Sequence, residues 1–196
     1  MDLILIVGPQ AVGKMTIGRE LEKLIAAKLL FNHQTIDLFA RFLGYTPEAF
    51  QLSEKVRLDL FKAFTMNQET NATEGIIFTV VAAFDLESDW KVLESWIDMF
   101  KHAGGRVYFI ELEAELEERI IRNTHADRLA AKPSKRDTAF SSQELLESAR
   151  SHRLNSFEGE VTDRLPFVHY LKLDNTELEA PNAAKAIHEW MVREGY

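Results

Sequence analysis

A nine-residue segment near the start of the chain combines two glycines with a lysine in a spacing that suits a phosphate group. It follows the apolar run of residues 3–7 and reads Gly8-Pro9-Gln10-Ala11-Val12-Gly13-Lys14-Met15-Thr16. Glycines let backbone N–H groups approach a phosphate closely, and the N-terminus of a following helix adds partial positive charge. Lys14 would reach the β- and γ-phosphates of a nucleotide as a point charge. The sequence therefore predicts that this segment binds the phosphates of a nucleotide.

The residue directly after the lysine departs from the strict pattern of such loops. A Ser or Thr hydroxyl is expected there as a ligand of Mg²⁺. Met15 offers only a thioether, and a soft sulfur is a poor ligand for a hard cation. The hydroxyl comes one residue later, at Thr16. We therefore expect Thr16 to lie close to the metal.

Alternating strands and helices must position this loop. Short apolar runs predict strands at residues 3–7, 28–31, 76–81, 107–112 and 167–173. Because amphipathic helices lie between them, we expect an α/β fold with a five-stranded parallel sheet flanked by helices, forming one domain of residues 1–196. Ligands bind at the carboxyl ends of the strands in such sheets, so residues that follow strands are candidates for chemistry.

Capping patterns set the expected ends of several helices. A helix over residues 36–43 is expected to stop at Gly44. Thr46 is the expected N-cap of the next helix, which runs to about residue 71. The run Ser141-x-x-Glu144 matches a capping box and predicts the start of a later helix.

Five polar residues, which follow the second and third strands or lie on the helical segment between them, are candidates for substrate and metal binding. Asp37 is the favoured general base for an acceptor hydroxyl, and His33 is its competitor; both could instead cap and pack a helix. Arg41 and Arg57 could hold a substrate anion, although surface salt bridges would also explain them. Asp85 could hold a Mg²⁺-bound water or serve only as an N-cap.

A basic segment between residues 119 and 140 opposes the acidic average of the chain. From residue 119 to residue 136, Asp127 is its one acid and its cations are Arg119, Arg122, Arg128, Lys132, Lys135 and Arg136. Such a run is either a solvated face or a mobile lid. Beside a phosphate loop we expect a lid whose arginines, Arg119, Arg122 and Arg128, close over the transferring group and exclude water.

Bulk composition limits the class of protein. The formal net charge of −8 argues against a general nucleic-acid binder, whose footprint is basic. The chain has no cysteine, which excludes disulfides and thiolate chemistry. The apolar run at residues 3–7 is too short for a signal peptide or a membrane span, so a cytoplasmic protein without membrane or nucleic-acid partners is expected.

The loop and the basic segment together resemble those of the small P-loop kinases. The ending Gly13-Lys14-Met15-Thr16 is similar to that of adenylate kinase, where a small residue separates the lysine from the threonine. The resemblance extends to shikimate and gluconate kinases and chloramphenicol phosphotransferase. The runs GKMTIG, FNHQTID and RLAAKPSKRD also resemble bacterial proteins catalogued as shikimate-kinase-like or as ATPases, without a settled substrate.

This resemblance implies a P-loop NTPase fold, use of ATP, an arginine-rich lid, and Mg²⁺ held mainly by phosphate oxygens and water. Two departures leave the acceptor open. Ala82-Ala83-Phe84 stands where shikimate kinases carry a glycine triplet, and the Asp-Gly-Phe-Pro-Arg stretch of adenylate kinase is absent from the sequence.

The sequence thus favours an ATP- and Mg²⁺-dependent kinase that acts on a small hydroxyl-bearing metabolite. A nucleoside monophosphate kinase is the alternative within the same class, and it needs no general base because its acceptor is already ionised. A nucleotide-binding switch or regulatory ATPase is the alternative from another class. The acceptor, the choice between ATP and GTP, and the oligomeric state are left open by the sequence.

Overall fold

The computed structural model describes residues 1–196, except for the side chain of Asp127. Its five strands form one sheet in the order β2-β3-β1-β4-β5, with every neighbouring pair parallel. The strands are β1 (Asp2–Val7), β2 (Ala27–Phe31), β3 (Gly75–Val80), β4 (Arg106–Glu113) and β5 (His169–Asp174). The α/β fold with a five-stranded parallel sheet, predicted from the sequence, is confirmed.

Helices connect the strands and cover both faces of the sheet. They are α1 (Lys14–Leu21), α2 (Asn32–Leu43), α3 (Pro47–Met66), α4 (Glu87–His102), α5 (Leu116–Asn123), α6 (Ala126–Ala131), α7 (Thr138–Ser151), α8 (Glu160–Arg164) and α9 (Ala180–Arg193). Short 3₁₀ turns occur at Gln68–Thr70 and Pro133–Lys135. A membrane-crossing helix, both long and apolar enough, is not found among the described residues.

The central strand β1 contributes side chains to two hydrophobic cores, one on each face of the sheet. Successive side chains of a strand point to opposite faces, so its apolar run feeds both sides of the sheet. Leu3, Leu5 and Val7 join the core beneath α3 and α4, whereas Ile4 and Ile6 join the core beneath α1 and α9. Because β1 is buried along its whole length, the loop that follows it starts from a fixed point.

An aromatic cluster anchors α3 and α4 to the sheet. The ring of Phe61 lies edge-on to Phe78, Trp96 and Phe100, with centroid distances of 5.4, 6.0 and 5.8 Å. Edge-to-face pairs at such distances add to the stabilisation from apolar burial. This packing holds α3 against β3 and α4.

Two helices near the second strand differ in extent from the sequence prediction. Helix α2 begins at Asn32, directly after β2, because Gln34 Oε1 accepts a hydrogen bond from the Phe31 N–H at 2.9 Å. Its end before Gly44 is as predicted. Helix α3 ends at Met66 rather than near residue 71. At this end the side-chain amide of Asn67 donates a hydrogen bond to the Ala63 carbonyl of the helix. The predicted N-cap Thr46 accepts from the Ala49 N–H.

The capping box predicted at Ser141 is wrong. Helix α7 begins at Thr138, and its N-cap is Asp137, whose carboxylate accepts from the Phe140 N–H at 3.0 Å. Ser141 lies inside the helix with its side chain buried, and its hydroxyl bonds to Asn123 of α5 at 3.1 Å. The helix therefore starts from the cap at Asp137, although the sequence around Ser141 also matches a capping pattern.

The segment predicted as a mobile lid, residues 119–140, is helical over most of its length. It comprises the end of α5, all of α6, a 3₁₀ turn and the start of α7. Arg119 and Lys135 are buried, and Lys135 forms an ion pair with Glu144 of α7. The structure therefore does not show a separate arginine lid: Arg119 and Arg122 belong to the packed helix α5.

Candidate functional site

The phosphate-loop candidate, residues 8–16, connects β1 to α1 through left-handed backbone. Gly8 has φ 147° and Gly13 has φ 111°, and Ala11 is also left-handed with φ 61°. A Cβ atom on Gly8 would overlap the Leu112 carbonyl of β4. Glycine at this position is therefore required by the neighbouring strand as well as by the turn. The loop delivers Lys14 to the first position of α1, where helix N–H groups lack intrahelical acceptors.

The Lys14 amine lies over the backbone of its own loop. Its Nζ donates to the carbonyl oxygens of Gly8 and Pro9, at 2.5 and 2.7 Å. Burial, and then the charges of Lys132, Arg128 and Arg119, lower the pKa of Lys14 well below its usual value. A phosphate group bound here would offset the repulsion among these cations.

Three further cations lie around Lys14, and two of them have a buried donor without a described partner. Arg119 Nη2 and Arg128 Nε are buried donors for which the described side chains and backbone provide no acceptor. Burial lowers the pKa of both guanidinium groups. Burial, followed by repulsion from Arg128 and Lys135, lowers the pKa of Lys132 to about 7. Because buried polar groups are normally paired, this cluster has the chemistry of an anion site.

Arg122, predicted to act in the lid, is held by the protein instead. Its Nε donates to Glu118 at 2.7 Å and its Nη1 donates to the Val12 carbonyl at 3.1 Å. Its Nη2 donates to the carbonyls of Asn175 and Thr176, each at 2.9 Å. All of its side-chain nitrogens therefore have protein acceptors, although Arg122 also lines the cavity beside the loop. Arg119 is partly engaged too, because its Nε donates to the Gln10 carbonyl at 2.9 Å.

A cavity of about 450 Å³ lies beside the loop, within the size range of ligand pockets. Its cations come from α1, α5, α6 and the residue directly after α6, and its carboxylates come from α5 and the segment between β5 and α9. The lining residues are Ala11, Val12, Gly13, Lys14, Met15, Thr16, Ile17, Glu118, Arg122, His125, Arg128, Lys132, Asn175, Thr176, Glu177, Leu178, Glu179 and Ala180. The structure thus brings the loop, Arg122 and Arg128 together, and it places Arg119 behind the loop.

The two residues after Gly13-Lys14 differ in what they offer the cavity. Met15 is 5% exposed and packs inward, whereas the side chain of Thr16 is exposed in the first turn of α1. Both residues line the cavity. A hydroxyl group at its wall therefore comes from Thr16.

A second polar cluster lies next to the cations, on α2. His33 Nδ1 is 3.8 Å from Asp37 Oδ1 and 3.1 Å from the Ser134 hydroxyl. The Tyr45 hydroxyl donates to Asp37 Oδ1 at 3.1 Å. Burial lowers the pKa of His33, and this outweighs the opposing effect of Asp37. Burial alone would raise the pKa of Asp37, but the polar contacts with His33, Tyr45 and Ser134 bring it below its usual value.

Lys132 connects the two clusters electrostatically. Its charge lowers the pKa of Lys14 on one side and that of His33 on the other, while Asp37 raises the pKa of Lys132. Interactions between charges weaken with distance and with solvation. The phosphate loop and the Asp37 cluster therefore share one electrostatic environment.

The remaining candidates lie apart from the cavity lining. Arg57 on α3 is partly buried, with its guanidinium 5.7 Å from the centroid of the Phe78 ring and its Nε buried without a described acceptor. Burial lowers the pKa of Arg57. Arg41 is exposed near the end of α2. Asp85 accepts from the Arg153 N–H at 3.0 Å and contacts His152 at 3.4 Å. The expectation that Asp85 caps α4 is wrong, because the N-cap is Leu86.

Sequence reasoning assigned no separate role to Lys132, and it placed residues 173–176 near the adenine of a nucleotide without predicting that Asn175 holds the loop. Lys132 was counted only as one charge of the basic segment, although it lies four residues after Arg128 and its N–H donates to the Arg128 carbonyl at 3.0 Å. Residues four apart share a helix face, and this spacing could have paired them. Asn175 directly follows β5, where parallel sheets bind ligands, and its side chain donates to the Val12 carbonyl at 2.8 Å.

Comparison of the amino-acid sequence with known proteins finds no relative. A scan against protein-family models finds no match, and a search of curated proteins finds no significant match. Similarity is found only in three dimensions, among solved structures.

Three solved kinases illustrate this similarity. Shikimate kinase from Acinetobacter baumannii, in complex with shikimate, has a TM-score of 0.56 and 17% identity, covering 99% of this chain and 94% of that chain. A gluconokinase from Sinorhizobium meliloti 1021 has a TM-score of 0.54 and 14% identity, covering 98% and 93%. The APS kinase from Mycobacterium tuberculosis, in complex with AMPPNP and APS, has a TM-score of 0.53 and 11% identity, covering 97% of each chain. The chain therefore has the fold of the small P-loop kinases.

Proposed function

We propose that the protein is a kinase that transfers the γ-phosphoryl group of ATP to a hydroxyl group of a small metabolite in the cytoplasm. The observation that carries this proposal is the cavity where Lys14, Arg128 and Lys132 converge at the N-terminus of α1, next to the Asp37 cluster. Buried cationic donors without partners favour a polyanionic ligand. The neighbours of the same fold, which include kinases bound to shikimate or to AMPPNP and APS, support the same class of reaction.

In this proposal the loop and its cations hold and neutralise the phosphates. The backbone of residues 8–16 and Lys14 bind the phosphate chain at the helix N-terminus. Arg128 and Lys132, on the other side of the cavity, offset the charge of the transferring group. Phosphoryl transfer depends mainly on such positioning and charge stabilisation.

The residues present fit Mg²⁺ bound together with ATP. The exposed Thr16 hydroxyl lies at the wall of the cavity and would be the protein ligand nearest to the metal. Mg²⁺ keeps several waters and needs few protein ligands, so phosphate oxygens and water would complete its shell. When bound, the metal would neutralise phosphate charge. Asp85 would reach this shell only through water, because its carboxylate already accepts from the Arg153 N–H.

Asp37 would act on the acceptor. The acceptor oxygen forms a bond to the γ-phosphorus, its proton goes to the Asp37 carboxylate, and the bond to the β,γ-bridging oxygen breaks to leave ADP. His33 orients Asp37 or replaces it as the base. Arg57, with its unpartnered Nε, would hold a polar or anionic part of the acceptor, and Arg41 would lie at the rim.

Product analysis with a panel of acceptors tests the function. A kinase forms ADP in an acceptor-dependent manner, well above its background hydrolysis, and forms a phosphorylated product. Candidate acceptors can first be selected by thermal shift in the presence of a non-hydrolysable ATP analogue, because ligands that bind only the folded state raise its apparent stability. Nucleotide binding without acceptor-dependent turnover would instead favour the switch or regulatory ATPase. Activity confined to nucleoside monophosphates would favour that kinase class.

Replacing Thr16 by valine should weaken Mg²⁺-dependent nucleotide binding more than replacing Met15 by alanine does. Valine keeps the shape of threonine and removes the oxygen, whereas Met15→Ala removes only an inward-packing side chain. Affinity for an ATP analogue is measured with and without Mg²⁺. Met15→Ala is the matched control, and a larger loss of metal dependence in that variant would contradict the assignment.

Nucleotide affinity should fall as the pH rises above about 7, because the pKa of Lys132 is lowered to about 7 in the free protein. Bound phosphates favour the charged amine, so they raise this pKa and binding takes up a proton. Below pH 7 the amine is already protonated and this dependence vanishes. Above it the affinity should fall by up to about tenfold per pH unit. Calorimetry in buffers of different ionisation enthalpy measures the proton uptake.

The control for this pH effect is Lys132→Met, which keeps the alkyl chain and removes the titrating group. This variant should bind nucleotide more weakly at pH 6 and take up fewer protons at pH 7.5. A pH dependence identical to that of the parent protein would show that Lys132 is not the group responsible.

A further inference from the structure

Arg122 connects three separate parts of the chain. From α5 its Nη1 reaches the Val12 carbonyl in the phosphate loop, at 3.1 Å. Its Nη2 reaches the carbonyls of Asn175 and Thr176 after β5, each at 2.9 Å. Glu118, one turn earlier on α5, orients the guanidinium through Nε at 2.7 Å. The rigid, planar fork of an arginine suits such a bridge, and a lysine amine does not reproduce it.

The Val12 carbonyl also receives a second donor. Asn175 Nδ2 donates to it at 2.8 Å, and Asn175 is itself 2% exposed with its backbone N–H bonded to the Glu113 carbonyl at 2.9 Å. One carbonyl oxygen thus binds two side chains, each of which is fixed from a different direction. The Val12 peptide is therefore held more firmly than a loop peptide that faces only solvent.

Holding this carbonyl determines the direction of a neighbouring donor. The peptide unit is planar and trans, so the Val12 carbonyl and the Gly13 N–H point in opposite directions. Gly13 has φ 111° and directly precedes α1, a conformation that glycine adopts freely and could also leave. External hydrogen bonds to the preceding carbonyl remove that freedom. They fix an N–H group at the helix end where anions bind.

We propose that Arg122 is a positioning residue: it fixes the Val12–Gly13 peptide and thereby the anion-binding geometry of the phosphate loop. This inference rests on the proposed binding of nucleotides at the loop. Arg122 then contributes to the affinity for every ligand whose phosphates use the loop, ADP as well as ATP. An arginine that contacts only the transferring group would instead affect turnover and leave ADP binding unchanged.

The test compares Arg122→Ala with Arg128→Ala, whose arginine has a buried Nε without a described acceptor. Dissociation constants for ADP and for a non-hydrolysable ATP analogue are measured, together with kcat at saturating ATP. Arg122→Ala should weaken both affinities by the same factor, on the order of 10–100-fold for a misplaced binding group, with a much smaller change in kcat. Arg128→Ala should lower kcat and change ADP affinity less. Unchanged ADP affinity in Arg122→Ala would overturn the proposal.

A double-mutant cycle tests the shared carbonyl directly. Both donors are needed to hold the Val12 carbonyl, so once Arg122→Ala has released the peptide, Asn175→Ala should cost less than it does in the parent protein, and the double variant should lose less than the product of the two separate effects. Multiplicative effects would overturn the shared anchor. If Arg122→Ala shows no cooperative unfolding transition, Arg122→Lys and Glu118→Gln replace it, and each should weaken ADP and ATP binding in equal proportion.

Failure of this inference differs from failure of the proposed function. A parent protein that binds both nucleotides but transfers no phosphoryl group is not a kinase, yet its ADP and ATP affinities still test Arg122. A parent protein that transfers phosphate normally, with an Arg122→Ala variant of unchanged nucleotide affinities, keeps the function and rejects the positioning role.

Discussion

Replacing Lys14 by alanine or methionine should remove nucleotide-dependent activity while the protein stays folded. The amine is the cation nearest to the phosphate loop backbone, with bonds to the Gly8 and Pro9 carbonyls. Loss of one well-placed electrostatic group typically costs roughly 10²–10³-fold in turnover. The fold should tolerate the change, because the lowered pKa of Lys14 shows that its charged form is disfavoured in the folded state. Calorimetric binding of an ATP analogue, turnover and thermal unfolding are measured together.

Lys14→Met is the better control for packing, since it keeps the length of the side chain. Lys23→Met serves as a matched surface variant: Lys23 is exposed and pairs only locally with Glu20. It should leave nucleotide binding and turnover unchanged. Nucleotide affinity and activity at the parent level in both Lys14 variants would reject the phosphate-binding role of the loop.

Replacing Asp37 by asparagine should lower turnover by roughly 10²–10⁴-fold, the usual effect of losing a general base. Asparagine keeps the shape and can still accept the hydrogen bond from Tyr45, so the local structure should persist. The affinity for ATP should change much less than turnover, because Asp37 does not line the cavity and influences it only through the charge of Lys132. Steady-state kinetics with the identified acceptor give kcat, and Tyr45→Phe is the control that removes the hydrogen bond but keeps the carboxylate.

His33→Gln distinguishes the two candidate bases. A base must be deprotonated to act, so activity falls as the pH drops through its pKa. The polar contacts of Asp37 lower its pKa. If Asp37 is the base, activity should therefore fall only at a pH below the usual pKa of an aspartate. Burial also lowers the pKa of His33, so a limb below pH 6.5 alone does not identify the carboxylate. A larger loss of turnover in His33→Gln than in Asp37→Asn would assign the role to His33. Small losses in both would favour an acceptor that is already ionised.

The sheet and the succession of β1, a glycine-bounded loop and α1 could be predicted because their signals are local and redundant. Residues 3–7 are apolar throughout, as a strand buried on both faces requires, and the two glycines and Lys14 follow at once. The end of α2 at Gly44 and the cap at Thr46 were predicted for the same reason, since each depends on one or two neighbouring residues.

The roles of the cations could not be predicted from spacing. The three-residue interval between Arg119 and Arg122 indicates one helix face, but it does not say that this face packs on the loop carbonyls of Gln10 and Val12. Likewise, a lysine in a basic run is expected to be exposed to solvent. Tertiary packing instead places Lys132 where its charge acts on Lys14 and interacts with Asp37. The start of α7 could not be predicted from its local pattern either, because the helix begins after Asp137 and not at Ser141.

The strand order has a consequence for the synthesis of the protein. Strand β1 pairs with β3 and β4, so Asp2 has Gly75 and Arg106 as its register partners, and none of its sheet partners is near in sequence. Such distant pairing is slow to form, because a long stretch of chain must be ordered before the contact is made. During translation the apolar residues of β1 are made before β3 and β4, and their partners follow about 70 and about 100 residues later. The segment proposed to hold the phosphates is therefore made before both of the strands that fix the strand leading into it.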